Sequence, residues 1–371
     1  MMQNRSFDHL FGTYPPANGL DPGAASYAQK DKAGKTITPS LLGTLSTPDI
    51  DHSRGRYMAV WDKGRMDKYA FYNGDSSMKY YDDTSNAVIS GKSYGVGTLW
   101  SYAQNYALAD NYFASAMGNE PANGLYMIAS YIGTGSAPFS YPQLDKCSKT
   151  VQAKQGGTIT PPIAAKNVGD QLSAKGVTWG WYQEHFDAEQ SGTCTSYIPH
   201  EDPFQYFTST ANGSHVKNFT LTSLKSLLSA GTLPEVMWIQ PGSSNSMHPG
   251  SGSIANGVKW LDGIVQAVKA SNAWPTTGII VLWDESGGWY DHVPPPQLAG
   301  TIGLGARVPV LFISPFAKTG HVSHVRMDHV SILRFIQWNW GLGKFTGATQ
   351  AAREAQSGDL CDLMNAACAA P

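Results

Sequence analysis

The stretch Trp283-Asp284-Glu285-Ser286-Gly287-Gly288-Trp289-Tyr290-Asp291-His292 decides the fold, because an apolar strand runs directly into a group of charges. The segment before it, Gly278–Leu282, reads as a short, fully buried strand. Two adjacent carboxylates at its end are costly to bury as bare charges, and a bound cation removes that cost. Ligands bind at the carboxyl ends of strands in α/β sheets, and paired glycines let the backbone turn close to a ligand. The stretch therefore predicts a ligand site rather than an acidic surface turn.

Apolar segments alternate with amphipathic ones along the rest of the chain. Strands are predicted at 177–182, 236–239, 279–283 and 308–313. Helices are predicted at 164–175, 221–230, 256–270 and 328–339, with Asp328 as the N-cap of the last, and residues 97–114 predict a helix that turns into a strand. This alternation predicts an α/β fold with a mostly parallel central sheet flanked by helices and an active site at the C-terminal ends of the strands.

No linker divides the chain, so we expect a single domain over residues 1–371. Pro, Gly, Ser and Thr are enriched near 15–50, and 135–163 are also loop-like, so these segments are predicted to be loop-rich insertions. Residues 343–371 are expected to form a C-terminal tail.

The amino-acid composition limits the kinds of partner and location that suit this chain. The 371 residues are 15% charged and rich in Trp, Tyr and Gly, with a net charge of -2. Nucleic acid is an unexpected partner for such a chain, because the balance of charge is not basic. No apolar run approaches the length of a membrane span, and no obligatory protein partner is evident.

The cysteines and the low charge favour a secreted or periplasmic location, although the chain carries no signal peptide. Four cysteines allow two disulfides. Cys361 and Cys368 can close a small C-terminal loop, and Cys147 and Cys194 bracket a polar region that a disulfide could staple. Whether residues preceded Met1 is left open.

Four further polar clusters lie at residues 3–9, 49–53, 197–204 and 245–249, and the last of them follows the predicted strand 236–239. Their Asp, Glu, Asn and Gln oxygens suit a hard cation, which is Ca²⁺, Mg²⁺ or Mn²⁺. Histidines beside such a cation suit an anionic substrate. The combination points to phosphoryl transfer.

These motifs, in this order, resemble the phosphoesterase family of non-specific phospholipase C and the respiratory-burst-inhibiting acid phosphatases. The segments that carry the resemblance are Gln3–Gly12, Asp49–Ser53, Asp110–Phe113, Pro199–Phe204, Met247–Pro249, Trp283–Pro296, Arg307–Lys318, Val322–His324 and Asp328–Trp338. The resemblance runs from residue 1 to about 342. It implies an alkaline-phosphatase-like α/β fold.

The resemblance also implies roles for individual residues. It implies metal ligands at Gln3, Asn4, Asp284 and Glu285, with catalytic or phosphate-contacting residues at His52, His248, His200 and Glu201. Asn119, Asn123, Asp291 and His292 are predicted to bind substrate. Gln3 replaces a glutamate of the family and so removes a negative charge, while Glu201 replaces the second histidine of a pair.

The nucleophile is the largest departure from the family pattern. Relatives place a Ser or Thr shortly before a segment that corresponds to Pro121–Tyr126 here, and counting back puts Glu120 at or beside that position, with Asn119 next to it. Ser115 is the nearest upstream hydroxyl and lies off register. A carboxylate can act as a nucleophile or a base, so Glu120 is predicted to be catalytic.

The leading hypothesis is a metal-dependent hydrolase of phosphoric esters, of the acid phosphatase or phospholipase C type, acting on a small molecule or a lipid headgroup. Because the Ser or Thr nucleophile is missing, attack by a metal-bound water is one route. Two alternatives stay open: an enzyme of the same fold with non-phosphate chemistry, such as elimination or another hydrolysis, and a non-catalytic metal-binding relative.

Overall fold

The structure is a computed structural model that describes residues 1–118, 120–133, 163–191, 193, 197–211, 214–298, 303–365 and 368. Its α-helices are Phe7–Phe11, Arg54–Trp61, Tyr69–Asn73, Val96–Asn105, Glu120–Ala129, Val168–Lys175, Phe186–Gln190, Leu221–Ala230, Ile254–Lys269, His329–Trp340 and Ala348–Ala355. Short strands outside the two main sheets are Gln29–Lys30, Thr36–Ile37, Ser40–Leu41, Lys79–Tyr80, Asn86–Ile89, Lys92–Gly95, Tyr112–Phe113 and Met327–Asp328. None of the described helices is long and apolar enough to cross a membrane.

Seven strands form the two main sheets. They are β1 (Ala107–Ala109), β2 (Trp179–Glu184), β3 (Val216–Phe219), β4 (Val236–Gln240), β5 (Ile279–Leu282), β6 (Val310–Ile313) and β7 (His321–Ser323). One sheet has the order β3-β2-β4, and both of its pairs are parallel. The other has the order β5-β6-β1-β7.

The N-terminal residues connect the two sheets. The backbone nitrogen of Met1 donates to the carbonyl of Ile239 in β4 at 3.0 Å. On the other side, Met2 forms a parallel bridge with Trp283, and its nitrogen donates to the carbonyl of Leu282 at the end of β5 at 2.8 Å. The residues that follow Met2 and β5 therefore emerge together at one edge, which is the C-terminal end of both segments.

The α/β class is confirmed, but the second sheet is mixed. Strand β6 runs antiparallel to both β5 and β1, whereas β7 is parallel to β1. Among the described residues between β5 and β6 there is no α-helix. A chain that returns without a crossover helix pairs in the opposite direction, and this accounts for the antiparallel strand.

Most predicted elements lie within a few residues of their observed bounds. The helix Leu221–Ala230 matches its prediction, because Thr220 caps its start and Gly231 adopts φ 65° at its end. Asp328 is the N-cap of His329–Trp340 and accepts from the nitrogen of Val330 at 2.8 Å. The predicted loop 15–50 contains three two-residue strands. The predicted loop 135–163 lies outside the described residues except for its last residue.

The Cys361–Cys368 disulfide is present, with an S–S distance of 2.05 Å and Cα atoms 5.2 Å apart. Cys147 and Cys194 lie outside the described residues.

Arg307 joins several segments at the strand-end edge. Its guanidinium is fully buried and donates to Asp8 at 2.8 Å and to Asp291 at 3.1 Å. Another nitrogen donates to the carbonyl of Asp110 at 2.8 Å, directly after β1. His292 donates to Asp8 through both its backbone nitrogen and Nδ1, each at 2.7 Å. This cluster ties the first helix to the segment that follows β5.

We predict that Arg307→Ala lowers the free energy of unfolding by about 3–5 kcal/mol, because it leaves buried carboxylates without a counter-charge. Urea unfolding followed by circular dichroism measures the change. Arg65→Ala is the matched control, since Arg65 is 59% exposed in its ion pair with Asp62 and should contribute far less to stability. Equal losses in the two variants would show that the Arg307 cluster does not hold these segments together.

Candidate active site

Asp284 and Glu285 follow β5 and are both buried. Burial raises the pKa of Asp284 well above its usual range, and the neighbouring Glu285 charge raises it further. Burial also raises the pKa of Glu285, although the charge of His52 and the hydroxyl of Tyr57 oppose that shift. Two adjacent carboxylates in this environment call for a compensating positive charge.

The turn after these carboxylates requires glycine. Gly287 has φ 63°, and a Cβ atom there would lie 2.3 Å from the carbonyl oxygen of Asn4. A side chain at this position would therefore push the Asn4 segment away from the carboxylates.

Asn4 contacts both carboxylates and itself adopts φ 59°. Its backbone nitrogen donates to Oδ1 of Asp284 at 2.8 Å, and its Nδ2 donates to Oε1 of Glu285 at 2.6 Å. The other oxygen of Glu285 accepts from the hydroxyl of Tyr57 and from the nitrogen of Gly287. Glu285 thus accepts three hydrogen bonds and fixes the orientation of the Asn4 amide.

This orientation leaves two oxygens that suit a cation. Oδ1 of Asn4 and Oδ2 of Asp284 are buried and have no hydrogen-bond partner among the described residues. Buried polar atoms in folded proteins are nearly always paired. An amide oxygen and a carboxylate oxygen are ligands that hard divalent cations prefer. The residues present therefore fit the divalent cation that the sequence predicts.

His52 and His248 lie beside this pair, with ring centroids 5.6 Å apart. Nδ1 of His52 contacts the carbonyl of Ile50 at 2.6 Å, and Nδ1 of His248 contacts the carbonyl of Pro249 at 2.5 Å. A carbonyl oxygen can only accept, so Nδ1 carries a proton in both rings. Nε2 of His248 is therefore a proton acceptor, whereas Nε2 of His52 faces the amide of Asn4. Nε2 of His52 lies 3.1 Å from Nδ2 of Asn4.

The two histidines have opposite pKa shifts. Burial opposes protonation of His52, but the Glu285 carboxylate and other nearby acceptors outweigh burial, so its pKa is raised. Burial lowers the pKa of His248. Asp49 could also bind a metal with these rings, since one ligand atom from each of the three residues lies within 4.8 Å of the others.

These groups line an open cleft of about 440 Å³. Its walls comprise Gln3, Asn4, Asp49, Ile50, Asp51, His52, Ser53, Pro121, Ile198, His200, His248, Ser251 and Asp284. The predicted residues Gln3, Asn4, Asp284, His52, His248 and His200 are therefore brought together.

Glu201 is buried behind Gln3 and is not among the lining residues. Nε2 of Gln3 donates to Oε1 of Glu201. The other carboxylate oxygen accepts from Nε2 of Gln183 at 3.2 Å and from Nε2 of Gln240 at 2.7 Å. Burial raises the pKa of Glu201 well above its usual range.

The predicted nucleophile region reaches the cleft at a helix end. Glu120 begins the helix Glu120–Ala129, and Pro121 lines the cleft. Asn119 and the side chain of Glu120 lie outside the described residues. Asn123 is buried and accepts from the nitrogen of Ala116 at 2.8 Å, so it holds the loop before the helix.

Ser115 does not face the cleft. It is fully buried, and its Oγ donates to Oδ1 of Asp328 at 3.1 Å. The hydroxyl nearest upstream of Glu120 is therefore hydrogen-bonded to the N-cap residue of the helix His329–Trp340.

Asp291 and His292 belong to the Arg307 cluster rather than to the described lining of the cleft. Burial raises the pKa of Asp291 to about 6, against the lowering effect of Arg307.

Sequence reasoning missed Tyr57 and Gln240. Tyr57 contacts both Glu285 and Ser286 from the helix that begins right after His52 and Ser53. Gln240 ends β4, and a polar residue at a strand end was the signal that could have identified it.

Comparison with known proteins places the site in a family context. The sequence profile described as the phosphoesterase family matches residues 1–343. The chain is 26% identical to a non-hemolytic phospholipase C of Pseudomonas aeruginosa over 411 residues, covering 98% of this chain and 56% of that protein. It is also 26% identical to phospholipase C B of Mycobacterium tuberculosis over 418 residues, covering 98% of this chain and 76% of that protein. The chain therefore spans little more than half the length of some of its relatives.

Two solved structures show weaker similarity. An alkaline phosphatase superfamily protein from Vibrio parahaemolyticus aligns with a TM-score of 0.41 and 12% identity, covering 70% of this chain and 64% of that one. A murine ectonucleotide pyrophosphatase/phosphodiesterase 5 aligns with a TM-score of 0.42 and 8% identity, covering 66% and 90%. Because the profile match extends over nearly the whole sequence, the chain belongs to the phosphoesterase family.

Proposed function

We propose that this chain is a divalent-metal-dependent hydrolase of phosphoric esters, of the phospholipase C or acid phosphatase type. The observation that carries the proposal is a single cleft that brings two buried, unpartnered ligand oxygens beside two imidazoles. The names of its relatives support the phosphoric ester as the substrate class.

Asn4 and Asp284 would hold the cation directly, with Gln3 and Glu285 completing or supporting the site. Bound Ca²⁺, Mg²⁺ or Mn²⁺ would supply the positive charge that offsets the phosphate and the buried carboxylates. Asp284 would present its unpartnered oxygen, while Glu285 keeps the Asn4 amide oriented.

The two histidines beside the cation would have different roles. His52, whose pKa is raised, would carry positive charge beside the phosphate and stabilise negative charge that develops there. His248, whose pKa is lowered and whose Nδ1 is fixed by the Pro249 carbonyl, would accept a hydrogen bond at Nε2 from the attacking water or the substrate. His200 lines the cleft and would contact the substrate.

The nucleophile would be water rather than a serine. Ser115 is committed to Asp328, and Glu120 begins the helix whose first turn reaches the cleft. Glu120 would take a proton from the water and return it to the leaving alcohol, Asn119 would help to position the substrate, and Asn123 would act on that position through the loop that it holds. A helix N-terminus favours anions, which would assist binding of a phosphate there.

The cleft is open and suits a small phosphate ester or a lipid headgroup. The Cys361–Cys368 disulfide supports a secreted or periplasmic location, since disulfides persist in oxidising compartments.

Product analysis tests the function. The purified protein would be given p-nitrophenyl phosphate, p-nitrophenyl phosphorylcholine and phosphatidylcholine, each with Ca²⁺, Mg²⁺ or Mn²⁺ and with a chelator. Metal-dependent release of phosphate or phosphocholine is expected. Bound metal without product release from any of these substrates would indicate non-phosphate chemistry instead.

We predict that Asp284→Asn lowers both cation affinity and turnover by about a hundredfold or more, because it removes a ligand charge. The same change removes a buried charge, so the metal-free variant should unfold at no lower temperature than the wild type. Isothermal titration calorimetry and turnover assays measure the effects, with the exposed Asp83→Asn as control. An unchanged metal content and an unchanged rate would show that Asp284 is not a metal ligand.

We predict that Glu120→Ala lowers kcat by about a hundredfold or more, as expected for loss of a general base. Ser115→Ala should leave the rate near that of the wild type and cost about 1 kcal/mol of stability through the lost hydrogen bond. Steady-state kinetics and thermal unfolding compare the two variants. The reverse pattern would make Ser115 the nucleophile.

A further inference from the structure

We infer that Glu201 is a positioning residue that turns the Gln3 amide toward the cation, so that Gln3 and Glu201 act as one unit. The inference rests on the proposed function only in taking the cleft to bind a divalent cation. It assigns Glu201 a role through Gln3 and not through contact with substrate.

The direction of the Gln3 amide follows from its partner. Nε2 of Gln3 is the amide atom that faces Glu201, and it donates to Oε1 of that side chain. The amide oxygen is then the atom left to face away from Glu201. Gln3 lines the cleft beside Asn4 and Asp284, whereas Glu201 lies behind it. Gln3 therefore presents an oxygen on the side where the two unpartnered ligand oxygens lie.

Glu201 is itself held in place by amides. Its second oxygen accepts from Gln240 and Gln183, which project from the adjacent parallel strands β4 and β2. Oε1 of Gln183 accepts in turn from the indole nitrogen of Trp181 at 3.0 Å, which fixes the orientation of that amide. All three glutamines and Glu201 are buried. Three N–H donors on two oxygens leave this carboxylate little freedom to rotate.

The arrangement gives a consistent account of two unusual residues. Glu201 keeps its carboxyl group out of the cleft, while Gln3 offers a neutral oxygen to the cleft. A carboxylate at position 3 would instead lie in direct contact with the carboxyl group of Glu201, and two like charges in contact disfavour each other. A change of charge at residue 3 should therefore be tolerated only when residue 201 is changed in the opposite sense.

A double-mutant cycle in the whole chain tests this coupling, with Mn²⁺ as the probe. Affinity is measured by calorimetry and by electron paramagnetic resonance of free Mn²⁺. Glu201→Gln should weaken Mn²⁺ binding by about tenfold to a hundredfold, as expected when the partner of a ligand is lost. Gln3→Glu alone should lower the unfolding temperature, because two carboxylates then face each other.

The combined variant Gln3→Glu with Glu201→Gln again pairs one amide with one carboxylate, but the carboxylate is now at position 3 and the amide at position 201. We expect it to recover Mn²⁺ affinity at least to the wild-type value, since the carboxylate now faces the cation. Recovery of binding is an effect that a merely structural role of Glu201 would not produce.

Glu354→Gln is the matched control. Glu354 is also fully buried and accepts from a glutamine amide, that of Gln337 at 3.3 Å, but it does not line the cleft. It should lose stability without any change in Mn²⁺ affinity.

The inference is overturned if Glu201→Gln binds Mn²⁺ like the wild type, if the combined variant is no better than the weaker single variant, or if the wild type binds no Mn²⁺. Failure of the proposed function has a different signature. In that case Mn²⁺ affinity follows the double-mutant cycle, but no phosphate or phosphocholine is released by any variant.

Discussion

The pairing of the N-terminal segment with the end of β5 is the constraint on which the site depends. Met2 exchanges backbone hydrogen bonds with Leu282 and Asp284, and this register places Asn4 directly beside the two carboxylates. Gly287 permits the close approach because no other residue fits so near the Asn4 carbonyl. The same segment reaches β4 through Met1, so it also joins the two sheets. One backbone register therefore sets both the continuity of the fold and the spacing of the candidate ligands.

Buried charge is handled in three different ways at this edge of the sheets. Asp8 and Asp291 share the Arg307 guanidinium, which satisfies them with a fixed protein cation. Glu201 is surrounded by neutral amides from three glutamines. Among the described residues, no cation or amide contacts the second oxygen of Asp284, which is the pattern expected where the counter-charge comes from a ligand. The contrast between these carboxylates separates structural acids from candidate ligand acids.

The sequence predicted what depends on local pattern. The helix ends at Thr220 and Asp328, the strand before Asp284 and the family itself could be predicted because caps, apolar runs and motifs are local or ordered along the chain. The reversed strand β6 could not, because strand direction depends on a long connection whose path has no sequence signature. The Gln3–Glu201 contact could not either, since it joins residues 198 positions apart and each residue alone looked like an isolated departure from the family.

The pairing of Asn4 with Asp284 spans 280 residues of sequence, and this has a consequence for biosynthesis. A ribosome that adds about 5–20 residues per second would need roughly 15–60 s to make the second half of the site after the first. During that interval Met2 and Asn4 lack the end of β5 with which they pair, and the buried Phe7–Phe11 helix lacks the Arg307 cluster that anchors it. Contacts of such long range also slow folding after release. The nascent chain is therefore expected to lack the Asn4–Asp284 pair until β5 and the residues directly after it have been made.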